Sequence, residues 1–176
     1  RNYVAGVYFQ RQSRHSGYDG YAPGLDDFSL ATGFPFAGPS TPLDQTFLLS
    51  RDTIFRDGAV FGELTYNVTS KWQITGGARF FHQSFQVDAV NNFVFNGAGI
   101  TAVANDSKVN DHVFKLNTSY DILPDLKVYA TYSEGCRRGG ANGVPSEGVF
   151  ASLPAYLTYA PDIAKNYEVG VKGILF

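Results

Sequence analysis

The sequence predicts an all-β fold, an antiparallel up-and-down ribbon of about six strands, and three observations carry that expectation. Apolar and polar residues alternate with period two in separate stretches along the chain. The composition, with 19 Gly, 11 Tyr and 15 Phe in 176 residues, suits strands and turns better than helices. The connections between the stretches alternate between very short and long.

Successive side chains of a strand point to opposite sides, so each stretch has two faces that parity separates. Residues 3–12 set Tyr3, Ala5, Val7 and Phe9 against Gly6, Tyr8, Gln10 and Gln12. Residues 59–67 set Val60, Gly62, Leu64 and Tyr66 against Phe61, Glu63, Thr65 and Asn67. In the third stretch, Trp72, Ile74, Gly76, Ala78 and Phe80 oppose Gln73, Thr75, Gly77, Arg79 and Gln83. The fourth sets Phe114, Leu116, Thr118 and Tyr120 against Lys115, Asn117 and Ser119, and the fifth sets Leu126, Val128, Ala130 and Tyr132 against Lys127, Tyr129, Thr131 and Ser133. In the sixth, residues 167–175, Tyr167, Val169, Val171 and Leu175 oppose Glu168, Gly170 and Lys172. The mid-strand charges Glu63, Arg79, Lys115, Glu168 and Lys172 all fall on the polar parity, so a slip of one residue would carry each into the apolar set.

Residues 68–71 and 121–125 are the short connections, the second closed to further pairing by Pro124. Residues 13–58, 87–111 and 135–165 are expected as long loops, the first of roughly forty-five residues, which a compact soluble domain seldom carries. In an antiparallel ribbon this alternation puts every short turn at one end and every long loop at the other. Outer-membrane barrels have that asymmetry, with short periplasmic turns and long extracellular loops, which narrows the expected fold to a transmembrane β-barrel segment.

On that expectation Val60, Leu64, Trp72, Ile74, Leu116, Val128, Val169 and Val171 face outer-membrane lipid, while Glu63, Arg79, Lys115, Glu168 and Lys172 form a polar wall toward the lumen. Tyr66, Trp72 and Tyr120 flank the short turns and Phe80, Tyr132 and Tyr167 lie toward the long loops, as two interfacial aromatic girdles would. Barrels of this kind need about eight strands to close, so further strands are expected beyond residues 1–176. Phe176 shares the parity of Glu168 and Lys172, and a further turn is expected after it. Two other readings fit the same alternation: a passive porin-like channel, and a secreted β-sandwich carbohydrate-binding module with its aromatics in the core.

Other classes are set aside on composition. No run of eighteen apolar residues marks a spanning helix, and a net charge of -2 with scattered basic residues leaves no footprint for nucleic acid. The lone Cys136 and the dispersed His15, His82 and His112 offer no metal cluster or catalytic triad, so neither an enzyme nor a cofactor is expected. Asp19, Asp26 and Asp27 lack calcium-loop spacing, and the glycosylation-type triplets at Asn67, Asn105 and Asn117 read as chance. Tyr18, Tyr21, Arg137 and Arg138, expected on the long loops, are the residue types that recognition surfaces use and are the candidate ligand contacts. Arg1 follows no basic and apolar leader, so an export signal is expected outside the chain.

Three runs carry a family resemblance. Residues 59–79, AVFGELTYNVTSKWQITGGAR, resemble a hairpin of TonB-dependent receptors that reads AVFG, an alternating strand, a D/N-x-T-x turn and a strand ending in G-x-R. Residues 129–140, YATYSEGCRRGG, resemble that family's Y-A-x-Y-S-x-G-F-R-x-G-G, and residues 159–173, YAPDIAKNYEVGVKG, resemble Y-x-P-E followed by Y-E-x-G-x-K. Cys136 stands where the family pattern has Phe, and Arg138 where Pro is frequent. The resemblance implies a Gram-negative outer-membrane receptor with a barrel of about twenty-two strands around an N-terminal plug. It further implies import of a scarce nutrient, such as a ferric siderophore or similar metal chelate, driven by a TonB complex acting on that plug. Residues 1–176 would then be part of the barrel domain, with the plug and remaining strands elsewhere.

Overall fold

The computed structural model describes residues 1–33, 44–93, 100–144 and 151–174. Its elements are β1 (Asn2–Tyr21), a helix α1 (Leu25–Thr32), β2 (Gln45–Asn67), β3 (Trp72–Phe93), β4 (Ile100–Leu123), β5 (Leu126–Arg137), β6 (Gly140–Ala141), a 3-10 turn (Pro154–Tyr156), β7 (Thr158–Tyr159) and β8 (Asp162–Gly173). The six long strands form one antiparallel sheet in the order β1-β2-β3-β4-β5-β8, and β6 pairs with β7 inside the connection from β5 to β8. The sheet is up-and-down and open at both edges.

Local chemistry fixes both short turns. Thr69 Oγ1 accepts the backbone N–H groups of Lys71 and Trp72 at 3.2 and 3.0 Å, turning the chain between β2 and β3. Between β4 and β5 the connection is Pro124 and Asp125, with Leu123 paired to Leu126 and a register shift at Ile122. At the other end, Asp26 and Asp44 clasp each other's backbone. Asp44 Oδ1 and Oδ2 accept the N–H of Asp26 and Gly24, and Asp26 Oδ2 accepts the N–H of Asp44 at 2.6 Å. Asp44 itself has φ 61, a conformation that Asn and Asp tolerate better than most side chains. The acidic residues considered above as a cation site include one, Asp26, whose role is to staple a connection shut.

Burial divides the sheet by face. Phe55, Ala59, Phe81, Val87, Ala89 and Val103 are buried, and all have the polar parity, so the sheet curls toward that face. Residues 139–144 fold onto it as well, where Asn105 Nδ2 donates to the carbonyls of Asn142 and Val144 at 2.7 and 2.9 Å. The apolar parity is open: Val60 and Leu116 are each 54% exposed. A sandwich would lock those side chains between two sheets, and no second sheet covers them among the described residues.

Strand length departs most from expectation. Residues 87–111 are largely paired strand and residues 13–58 are half so, because β1 continues to Tyr21, β2 begins at Gln45, β3 continues to Phe93 and β4 begins at Ile100. Two long connections remain, residues 22–44 between β1 and β2, which carry α1, and residues 138–161 between β5 and β8. The sixth strand starts earlier than expected, at Asp162, and ends at Gly173; Leu175 and Phe176 lie outside the described residues. The physical reason is visible in the ladder. Past the cross-strand row Phe9–Gly58–His82–Asn110, the formerly apolar parity carries Arg11, Arg56, Ser84 and Lys108. The buried apolar residues Phe55, Val87, Ala89 and Val103 lie on the other parity there, so the phase of the hydropathy pattern changes while the backbone ladder continues regardless.

Candidate functional site

The pairing register sorts the candidate residues onto two faces. Leu64, Gly76, Leu116, Tyr132 and Tyr167 share one cross-strand row, Val60 and Phe80 another, and Tyr66, Ile74, Thr118, Ala130 and Val169 a third. Trp72, Tyr120, Val128 and Val171 complete the face at the short-turn end. All eight residues expected on the apolar side are therefore coplanar. Even the polar atom of Trp72 is satisfied within this face, its Nε1 donating to Thr118 Oγ1 at 2.9 Å.

The five charges share the opposite face, and four of them, Glu63, Arg79, Lys115 and Glu168, engage neighbours there. Lys115 Nζ meets Glu63 Oε2 at 2.9 Å although their strands are not adjacent. Gly77 stands in register between them and leaves the space open for the bridge. Arg79 Nη2 donates to Asp57 Oδ2 at 3.0 Å, and its guanidinium lies 5.2 Å from the Tyr8 ring centroid. Gln83 also donates to Asp57 Oδ2, at 3.3 Å. Tyr129 donates to Glu168 Oε1 at 2.6 Å, and Lys172 stands opposite Lys127, whose ammonium pairs with Asp121. Two aromatic rings of this face lie over glycines directly across the ladder. A Cβ at Gly6 would come within 2.7 Å of the Phe61 ring, and one at Gly170 within 2.6 Å of the Tyr129 ring, so a side chain at either position would require the ring to shift.

Two adjoining cavities open on the polar face. One of about 510 Å3 is lined by Asp57, Arg79, Gln83, Cys136 and Arg138, and one of about 250 Å3 lies farther from the short turns; Phe55 and Arg138 border both. Asp57 Oδ1, Arg79 Nε and Gln83 Oε1 are buried without a partner among the described residues, so three polar atoms of this wall have unused hydrogen-bonding capacity.

The four candidate ligand contacts do not converge. Tyr18 and Tyr21 lie on β1, not in a loop; Tyr18 stacks obliquely on Phe47 at 5.4 Å, and a register shift after Gly20 sets Tyr21 opposite Gln45. Arg137 ends β5 and pairs with Asp162 across the β5–β8 ladder. Arg137 and Arg138 both border the larger cavity, and of the four candidates Arg138 also borders the smaller one, its Nη1 donating to Gln12 Oε1 at 3.0 Å and its guanidinium standing 4.6 Å from the Phe55 ring centroid. Parity read through 51, 53, 55 and 57 would have found Arg51 and Asp57, but two arginine and aspartate neighbours off that parity, Arg56 and Asp52, erase the hydropathy contrast. No group of three or more metal-ligating side chains occurs among the described residues.

Comparison with known proteins agrees with this architecture. A family model described as TonB dependent receptor-like, beta-barrel, matches residues 2–176. The pesticin receptors of Yersinia enterocolitica and Yersinia pestis are 27% identical over 135 residues, covering 76% of this chain and 18% of each receptor. The chain thus spans under a fifth of the length of the curated relatives it matches. Among solved structures, the ferric yersiniabactin uptake receptor FyuA from Yersinia pestis superposes with a TM-score of 0.75 at 19% identity, over 98% of this chain and 23% of that one. That likeness establishes the fold, an antiparallel sheet like a portion of that receptor's barrel and not closed on itself. With the family model matched from residue 2 to residue 176, the chain belongs to the β-barrel family of TonB-dependent receptors.

Proposed function

We propose that residues 1–176 are a stretch of barrel wall from a Gram-negative outer-membrane receptor that binds a ferric siderophore or similar chelate and imports it with energy from a TonB complex. The observation that carries this reading is the family match along the whole chain. The two-faced sheet supports it in physical terms. From Trp72 to Phe80 the apolar face spans eight residue steps, about 27 Å of strand or about 21 Å of height at a tilt of about 40°, near the apolar band of known outer-membrane barrels. The apolar face meets hydrocarbon, and the paired charges of the other face meet water and the plug. Plug and TonB contact are assigned to the full-length protein outside residues 1–176. The ligand class follows the names of the relatives, one of which takes up ferric yersiniabactin.

The test is uptake of radioactive iron by a receptor-deficient Gram-negative host expressing the full-length protein. Ferric yersiniabactin and a panel of anionic, neutral and cationic ferric chelates are the probes. Expected is saturable accumulation from at least one chelate, lost in a host without TonB. Equal uptake with and without TonB would identify a passive channel, and no uptake from any chelate would reject the ferric-chelate reading.

A further inference from the structure

We infer that Arg14, Arg51 and Arg138 form a recognition subsite for a multiply charged oxyanion, such as a di- or tricarboxylate, on the polar face beyond the apolar band. The inference rests on the receptor reading above, because it takes that face to be open to ligand. Three guanidinium-bearing side chains line the cavity of about 250 Å3, and none of its lining residues is acidic. Arg14 faces Thr53 and Arg51 faces Ser16 in the β1–β2 ladder, so both project to the same side, two rungs apart. Arg138 arrives from the end of β5 and is held there by Gln12 and the Phe55 ring.

The contrast with neighbouring arginines decides what this cluster is for. Arg79 and Arg137 each have a carboxylate partner, Asp57 and Asp162. Among the described residues, Arg14, Arg51 and Arg138 have none, and Arg51 Nε is buried without any hydrogen-bond partner. Gly143 closes over the same guanidinium: a Cβ there would stand 3.0 Å from Arg51 Nε and 3.1 Å from its Nη2. Like charges gathered around a partly enclosed space repel one another, and a bound anion is what reverses the sign of that interaction. The planar guanidinium fork matches carboxylate oxygens two at a time, and arginine keeps its charge at every physiological pH. Such a subsite selects the charge of the ligand's periphery and leaves its iron to other groups.

Citrate binding to the full-length receptor in detergent, followed by titration calorimetry, tests this. Expected is saturable binding that weakens at least tenfold in an R51Q/R138Q variant and with rising salt, stays within about threefold in R51K, and is unchanged in R137Q. Each variant is checked by its heat-modifiable mobility on a gel, which reports an intact barrel. No citrate binding by the wild-type protein, or equal binding by wild type and R51Q/R138Q, would overturn the subsite and leave the arginines to neutralise acidic groups of the full-length protein. Iron uptake in the same strains separates the two readings. TonB-dependent uptake without citrate binding sinks the subsite alone, while arginine-dependent citrate binding without TonB-dependent uptake sinks the receptor reading alone.

Discussion

The lower and upper halves of the sheet share one backbone ladder and differ in what their faces meet. Between the short turns and the row Phe9–Gly58–His82–Asn110, one face is apolar and exposed and the other polar and ion-paired. Beyond that row the same strands carry Arg11, Asp52, Arg56, Asp88 and Lys108 on the formerly apolar parity, and their buried side chains cluster on the other face around Val87, Ala89 and Val103. On the function proposed above, the lower half is a boundary between two solvents and the upper half a ribbon in water, with its buried side chains on one side, under residues 139–144. Strand and membrane span are therefore different quantities: β3 runs for 22 residues, whereas a tilted span needs only about 9–11.

The largest expected effect sharpens this contrast. Leu64→Arg or Leu116→Arg in the full-length protein should cost about 2–4 kcal/mol in urea unfolding from lipid, while Thr65→Arg on the opposite face should be nearly neutral. Gln86→Arg, on the apolar parity but in the upper half, should also lie within about 0.5 kcal/mol of wild type. Equal costs at Leu116 and Gln86 would dissolve the boundary between the halves.

Next in size is the buried carboxylate of the polar face. Asp57→Ala leaves Arg79 and Gln83 without their shared acceptor, and since Asp57 is only 8% exposed at its side chain while Arg79 is 38% exposed, a loss of about 1–3 kcal/mol is expected in the same assay. Asp44→Ala removes both acceptors of the staple that closes onto α1, at about 1–2 kcal/mol of local stability. Hydrogen exchange should read that as faster exchange at the amides of Gly24 and Asp26, with the β2–β3 ladder unchanged. The smallest effect belongs to Lys115→Met. The Glu63 bridge is nearly half exposed on both sides, so its loss should cost about 0.2–1 kcal/mol and fade with added salt. A larger, salt-independent loss would mean that the polar face is dry.

The sequence was legible where one apolar phase runs unbroken along the strands and opaque where that phase changes. Parity found the register of Val60, Leu64, Ile74, Leu116 and Val169, because each sits in an unbroken apolar alternation. It also found both short turns, whose Thr69 and Pro124 act locally. It missed the upper half of four strands, since the buried side chains change to the other parity there and break the phase of the pattern, while the backbone pairing runs on. The same blindness hid Arg14, Arg51 and Asp57, which read as loop residues and stand in register on the polar face. Arg138 was visible as a residue type suited to recognition, but its reach to Gln12, 126 positions away in the chain, is a product of tertiary folding. Arg137 reads identically in sequence and is spoken for by Asp162.

The central claim is that the apolar face meets hydrocarbon only below the row at Gly58 and His82. Nitroxide labels answer it most directly, placed singly at positions 60, 116, 56, 86 and 65 of the full-length protein in bilayers, with Cys136 replaced by serine. Labels at 60 and 116 should relax readily with dissolved oxygen and poorly with a water-soluble nickel chelate, while those at 56, 86 and 65 should do the reverse. Nickel-chelate access at 60 and 116 equal to that at 56 and 86 would contradict the claim.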